Sequence, residues 1–149
     1  MADSIRMLET PSATYSPAGW WSRVGASLLD SVVMYGGLFV AIALAGVVSN
    51  TVLVVALIVS LVGLLLYAPL MLAFGGGQTL GKRAVGIRVK LDDGRPIGLG
   101  RALVRELLVK SLLFGVIPFV GFVNVLWPLW DGDNRALHDI MCGSRVVDA

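Results

Sequence analysis

The chain has 149 residues, of which 56% are hydrophobic and only 15% are charged, and its mean hydropathy is +0.82. These values lie far from those of an ordinary soluble domain, and the length leaves room for one small membrane domain. A single cysteine, Cys142, excludes an internal disulfide framework and a cysteine-based metal cluster. The formal net charge of +2 is modest, so the positions of the basic residues are more informative than their number.

The first 19 residues are polar, contain two prolines, and lack the apolar core that a cleavable signal peptide requires. This composition predicts a flexible cytoplasmic tail over residues 1–19. Trp20 and Trp21 follow at the start of an apolar stretch, which is typical of the aromatic belt at a membrane interface. A single domain is therefore predicted over residues 20–149.

A run of 51 residues without a charged side chain extends from Ser31 to Gly81. A bilayer-spanning helix needs about 20 apolar residues, so this run is long enough for two. The polar cluster Ser49–Thr51 is the natural turn between them. We therefore expect a helical hairpin with helices over about 20–48 and 52–74.

The loop over residues 75–98 begins with three glycines, and basic residues accumulate from there onward. Between residues 75 and 106 there are seven basic and three acidic side chains. By the positive-inside rule, this segment and the N-terminus are predicted to be cytoplasmic. Apolar and polar residues alternate around Ile87–Leu91, and the turn signal Asp92–Gly94 follows. This pattern predicts a small cytoplasmic β-hairpin. The β-prone segment Arg145–Val147 is a second candidate partner for Ile87–Leu91, and such pairing requires both segments to lie on one side of the membrane.

From Leu99 the pattern becomes that of an amphipathic helix, and a third apolar stretch runs to Trp130. Pro118 and Gly121 interrupt this stretch, so it is either one broken span or a helix that turns back. We predict helices over about 99–117 and 119–130, followed by a polar tail over residues 131–149. The predicted fold class is an all-α integral membrane protein in which a third and a short fourth membrane helix accompany the hairpin.

Ionisable residues inside apolar helices are costly, so each needs a partner or a function. Arg23 and Asp30 are seven residues apart, or about 10.5 Å along a helix, and cannot pair directly. Arg23 is expected to reach either the lipid phosphates or the tail. For Asp30 we expect Arg105 or Lys110 as the counter-charge, and the alternative is a proton or cation site.

Gly76–Lys82 matches the first seven positions of a phosphate-binding P-loop. However, Arg83 replaces the hydroxyl residue that binds magnesium, and a membrane helix precedes the motif instead of a strand. We therefore expect Lys82 and Arg83 to contact lipid headgroups. His138, which precedes Asp139, is expected to tie the tail to the loop by hydrogen bonds, because no recognisable nucleophile motif accompanies it.

Several separate blocks occur in order along residues 17–148: Arg23 with Asp30, Gly77–Arg83 with Gly86–Val89, Leu99–Arg101 with Arg105, and Leu137–Asp139 with Gly143. In this combination the chain closely resembles the RDD family of bacterial membrane proteins, which is named for one arginine and two aspartates. By this resemblance, Arg23 and Asp30 are the arginine and the first aspartate. Asp139 is assigned as the second, with Asp131 and Asp133 as neighbouring alternatives.

The resemblance implies little about activity, since most of the family has no known function. Some members are associated with sodium/proton antiport, and the domain also occurs as an accessory part of larger membrane assemblies.

We predict a bacterial inner-membrane protein with a structural or accessory role, in which Arg23, Asp30, Arg105 and Asp139 form an intramembrane and interfacial lock. The alternative is a cation/proton antiporter that acts as a homo-oligomer, with Asp30 as the ion site. The first helix has a stripe of small residues at four-residue spacing, Gly37, Ala41 and Ala45, which would suit close contact between copies or packing within one chain. No enzymatic activity, cofactor, metal or nucleic acid is expected, and the expected partners are anionic lipids and a larger membrane complex.

Overall fold

The computed structural model describes residues 15–113 and 117–149, so most of the predicted N-terminal tail lies outside the described residues. Two long helices, α1 (Trp20–Val48) and α2 (Asn50–Phe74), form the hairpin. The Oγ of Ser49 accepts a hydrogen bond from the backbone N–H of Val52 at 3.2 Å, which caps α2. The two apolar helices predicted from the uncharged run are thus confirmed, and the turn between them is a single residue.

Both long helices expose nearly all of their apolar side chains. Only three residues of α1 and two of α2 are buried, whereas side chains such as Phe39 and Leu44 are about 70% exposed (74% and 67%). A core helix of a soluble protein would bury its apolar face. Both helices are long and apolar enough to cross a membrane, with a mean hydropathy of 2.2 for α1 and 2.7 for α2 in their most apolar windows.

A glycine turn after α2 returns the chain to α1. Gly76 and Gly77 have φ values of 67° and 81°, a left-handed conformation that favours glycine. A Cβ at Gly77 would also overlap the carbonyl oxygen of Val89, whose N–H donates to the Gly77 carbonyl at 2.8 Å. The turn leads into a short helix, α3 (Leu80–Ala84), which packs on α1.

The sheet has two antiparallel strands, β1 (Ile87–Leu91) and β2 (Ser144–Asp148), with Val89 opposite Val146. The prediction of a local hairpin after β1 is therefore wrong, and the alternative pairing with the C-terminal segment is confirmed. The turn after β1 forms only one bridge, between Lys90 and Pro96. Pro96 has no N–H to donate, so it cannot extend a ladder there.

Residues 15–18, which the sequence prediction included in the flexible tail, pack along β2. Ala18 is fully buried and donates its N–H to the Val146 carbonyl at 3.0 Å, and Asp148 donates its N–H to the Ser16 carbonyl at 3.0 Å. The N-terminal segment, the middle loop and the C-terminal strand therefore meet at one end of the α1–α2 hairpin.

Between the two strands the chain forms shorter helices. Helix α4 (Leu99–Leu103) continues as a π-helix over Val104–Leu113, and α5 (Pro118–Leu126) continues as a 3₁₀ turn over Trp127–Leu129. Helix α6 spans Leu137–Met141.

Proline occupies the first turn of α5, where its missing N–H is not needed. The break expected at this proline is present. The first stretch is described up to Leu113, and the second begins at Pro118.

Candidate functional site

A buried carboxylate, Asp139 on α6, joins three distant parts of the chain. Its Oδ2 accepts from Nη1 of Arg23 on α1 at 2.6 Å, and its Oδ1 accepts from Nη2 of Arg105 at 2.5 Å. Asp139 is fully buried, and Arg105 is 2% exposed. We call Arg23, Arg105 and Asp139 the arginine–aspartate cluster.

Arg23 also contacts the segment just before α1 and strand β2. Its Nε donates to the Ala18 carbonyl at 3.3 Å, and its Nη2 donates to the Val146 carbonyl at 3.5 Å. Arg23 is expected to reach either the lipid phosphates or the tail, and in the structure its guanidinium contacts the tail. Arg23 thus connects the start of α1 with the sheet and with α6.

Arg105 connects the cluster to two further ionisable residues. Its Nη1 forms an ion pair with the carboxylate of Glu106, which also accepts from Nζ of Lys110 at 3.1 Å. Its Nη2 lies 3.0 Å from Nε2 of His138. Since a guanidinium only donates, the His138 Nε2 must be the acceptor in this contact.

Asn124 on α5 fixes the other side of the His138 ring. The Asn124 Oδ1 accepts from the His138 backbone N–H at 3.0 Å and lies 2.9 Å from Nδ1, which therefore carries the proton. The expected hydrogen-bonding role of His138 is present, and its partners are α5 and Arg105. Burial lowers the pKa of His138 to about 3, and the nearby Arg105 acts in the same direction, so the ring is neutral at pH 7.

Asp139 remains ionised at every ordinary pH. Burial alone would raise the pKa of its carboxyl group, but Arg105 and Arg23 outweigh this effect and hold the pKa well below its usual range. A carboxylate with such a pKa does not exchange protons near neutrality. The cluster is therefore a permanent ionic connection.

Asp30 lies outside the arginine–aspartate cluster and binds neutral donors. Its Oδ1 accepts from the Tyr67 hydroxyl at 2.9 Å and from the Gly81 N–H at 2.8 Å, and its Oδ2 accepts from the Thr79 hydroxyl at 2.5 Å. The expectation that Arg105 or Lys110 is its counter-charge is wrong.

The physical reason is the approach of α3 to α1. A Cβ at Gly81 would overlap the Ala26 carbonyl oxygen, so glycine is needed for a free N–H of the α3 first turn to reach Asp30. Tyr67 completes the arrangement, because its hydroxyl also accepts the Leu80 N–H at 3.1 Å. Within the P-loop-like segment Gly76–Lys82, Thr79 and Gly81 thus attach α3 to α1 through Asp30.

Lys82 and Arg83, the predicted headgroup contacts, have different environments. Lys82 is half-buried, with its Nζ 3.5 Å from the Thr79 hydroxyl, whereas Arg83 is exposed. Burial and the positive charge of Lys110 lower the pKa of Lys82 to about 8. Contact with lipid stays a prediction for both.

The RDD family model matches residues 17–143 of the chain, which contain both the cluster and Asp30. The chain belongs to the RDD family. The uncharacterized protein YckC of Bacillus subtilis (strain 168) is 32% identical over 91% of this chain and 87% of its own length. A second RDD-like relative from the same strain, the uncharacterized protein YxaI, is 27% identical over 88% of this chain and 97% of its own length.

A shorter match joins this RDD chain to the proline-rich antigen homolog of Mycobacterium tuberculosis, at 38% identity over 42% of this chain and 25% of that protein. No solved structure matches the chain.

Four further side chains belong to the hydrogen-bond networks of the arginine–aspartate cluster and of Asp30 and were not predicted from the sequence: Tyr67, Thr79, Glu106 and Asn124. Asn124 carried a usable signal, because it is the only side-chain amide between Ser111 and Trp130. A lone amide in an apolar helix needs a buried partner. Tyr67 gave no comparable signal, since an aromatic residue near a helix end is also typical of a membrane interface.

Replacing Asp139 by Asn should strongly destabilise the protein. Arg23 and Arg105 would remain buried without their shared counter-charge, at a cost of about 3–5 kcal/mol. The melting temperature of the purified protein in detergent measures this loss. Asp133→Asn is the matched control, because its carboxylate is 57% exposed and forms one surface ion pair. Equal melting temperatures for the two variants would contradict a supporting role for the cluster.

Acidification from pH 7 to pH 5 should destabilise the protein through His138. Its pKa is about 3 when folded and about 6.5 when unfolded, so the unfolded chain takes up the proton first. Stability is therefore lost as pH falls below 6.5, by on the order of 2 kcal/mol at pH 5.

The control for this pH effect is His138→Gln, which keeps one donor and one acceptor but does not titrate. The melting temperature of the variant should change little between pH 7 and pH 5. An equal decline in both proteins would assign the effect to other groups.

Proposed function

We propose that this RDD protein is a small multi-pass protein of the bacterial inner membrane, with α1 and α2 as its spanning helices. Their 29 and 25 residues exceed the roughly 20 needed to cross the hydrocarbon core. Their outward-facing apolar side chains support this placement, because lipid would cover the surface that the protein leaves exposed.

The proposed orientation has the sheet end of the molecule in the cytoplasm. The seven basic residues between residues 75 and 106 support it, as does the pairing of β2 with both β1 and Pro17, which favours one side for these three segments. The two shorter helical stretches would then enter the bilayer from the cytoplasmic side and return, with the proline at the start of α5 marking the break between them.

We propose a structural or accessory role within a membrane assembly. The observation that carries this proposal is that Asp139 and Asp30, the two buried aspartates among the described residues, are fully engaged within the chain. Asp139 holds two arginines, and Asp30 holds three neutral donors. Groups fixed in this way stabilise a fold, whereas a transport site must bind and release its ion.

The relatives are compatible with an accessory role. The match to the proline-rich antigen homolog covers a quarter of that protein, so an RDD-like segment there forms part of a longer chain. The same compact unit would serve here as a membrane-embedded component that other proteins contact.

Cation/proton antiport by a homo-oligomer stays the alternative, and it depends on Asp30. The small-residue stripe on α1 leaves room for a second copy at Gly37, where a Cβ would meet nothing within 4 Å. The three donors on Asp30 argue against easy ion exchange, because all would have to be released together.

The assembly role predicts two results for the purified and the native protein. Proteoliposomes that contain the protein should show no proton-coupled cation flux above empty liposomes. In native membranes extracted with mild detergent, the protein should migrate in a complex much larger than its 15.8 kDa chain.

Asp30→Asn is the decisive variant for the alternative. Flux that is present in the wild-type protein and absent in a folded Asp30→Asn protein would overturn the assembly role. The orientation is checked with Cys142, the only cysteine, which should react with a membrane-impermeant thiol reagent in inverted vesicles and not in intact cells.

A further inference from the structure

A cavity of about 240 Å³ lies between the first turns of α1 and the helices that contain Arg105 and Asn124. Its polar and charged lining residues are Arg23, Ser27, Ser31, Lys82, Arg105, Lys110, Asn124 and His138. Pockets that bind drug-sized ligands have volumes of roughly 300–1,000 Å³. The cavity is therefore suited to a small polar group and not to a whole amphiphile.

The charge on this lining is strongly unbalanced. Four cationic side chains line the cavity, whereas no carboxylate is among its lining residues. Arg23 and Arg105 share Asp139, and Lys110 pairs with Glu106. Lys82 forms no ion pair with any carboxylate of the described residues. Glu106 and Asp30 act on Lys82 only through space, without an ion pair. An anion in the cavity would thus meet an excess of positive charge among the lining side chains.

A second observation also points to a missing acceptor. The Nε–H of Arg105 is buried and has no hydrogen-bond partner among residues 15–113 and 117–149. Buried donors are rarely left unpaired in folded proteins. A ligand oxygen in the cavity that Arg105 lines could accept this hydrogen bond.

The cavity is bordered by exposed apolar side chains. Leu28 on α1 and Val125 on α5 line it and are 63% and 52% exposed. Trp20 also lines it and donates its Nε1–H to the Val125 carbonyl at 2.9 Å, which joins the two helices. Tryptophan with an apolar ring and a satisfied N–H is typical of the membrane–water interface.

We propose that this cavity binds the phosphate-bearing headgroup of an anionic phospholipid, with Lys82 and Lys110 donating to the phosphate and an acyl chain lying along the exposed face of α1. The proposal rests on the membrane placement given above. It assigns the lipid contact to a site between helices, and it excludes the exposed Arg83 from that site.

The electrostatics of Lys82 agree with this assignment. Its ammonium group shares the cavity with the ammonium of Lys110, and this repulsion adds to burial in lowering the pKa to about 8. A bound phosphate would relieve both the repulsion and the loss of solvation.

Native mass spectrometry of the detergent-solubilised full chain tests the proposal by titration with three probes. These are a short-chain phosphatidylglycerol, a phosphatidylcholine with the same acyl chains, and inorganic phosphate. The wild-type protein should bind phosphatidylglycerol more tightly than either of the other two. Lys82→Gln and Lys110→Gln should each weaken that binding about fivefold, as expected for one cation beside an anionic headgroup. Arg83→Gln, the matched control on the same helix, should bind like the wild type.

Three results would overturn the headgroup site. They are equal affinity for the two lipids, equal affinity for inorganic phosphate and phosphatidylglycerol, and unchanged binding in both lysine variants. Resistance to alkaline carbonate extraction separates this failure from failure of the membrane placement. A protein that resists extraction but shows no preference for phosphatidylglycerol lacks the site, whereas one that is extracted refutes the placement and the site with it.

Discussion

The fold depends on one buried carboxylate that two arginines share. Isolated charges are expensive to bury, and an ion pair is tolerated only when its geometry and hydrogen bonds are nearly complete. Asp139 meets this condition by accepting from Arg23 and Arg105, which are 116 and 34 residues away in the sequence. Because each arginine also contacts other segments, the cluster joins the residues just before α1, strand β2 and the shorter helices.

Asp139 and Asp30 are both buried carboxylates, and they are stabilised in different ways. Asp139 is neutralised by cations, whereas Asp30 is stabilised by two hydroxyl groups and a backbone N–H at the start of α3. The first solution joins α1 to the C-terminal segment. The second joins α1 to the loop after α2. Together they attach the C-terminal segment and the loop after α2 to the first helix, and the apolar surface of the hairpin stays exposed.

The long helices could be predicted from the sequence because an uncharged run of this length has few alternatives. The partners of the buried charged residues could not be predicted in this way. The carboxylate oxygens of Asp30 accept hydrogen bonds from Thr79, Tyr67 and a backbone N–H. None of these donors is a charged residue that the sequence would mark as a partner. The pairing of β1 with β2 was available as an alternative, but the turn signal after β1 favoured a local hairpin, and only the missing N–H of Pro96 argued against it.

The most direct test of the account is a double-mutant cycle between Arg23 and Asp139, with Arg23→Met, Asp139→Leu and the double variant measured by thermal unfolding in detergent. Arg23→Met leaves Asp139 with Arg105 as its one arginine partner, and Asp139→Leu leaves both arginines without their shared carboxylate. The double variant removes the Arg23–Asp139 pair, and the loss at Arg105 is common to Asp139→Leu and the double variant, so it cancels in the cycle. We expect strong coupling, of roughly 0.5–3 kcal/mol, with the double variant more stable than the sum of the single effects implies. Additive effects would contradict it, because they would mean that the two side chains do not support each other in the folded protein.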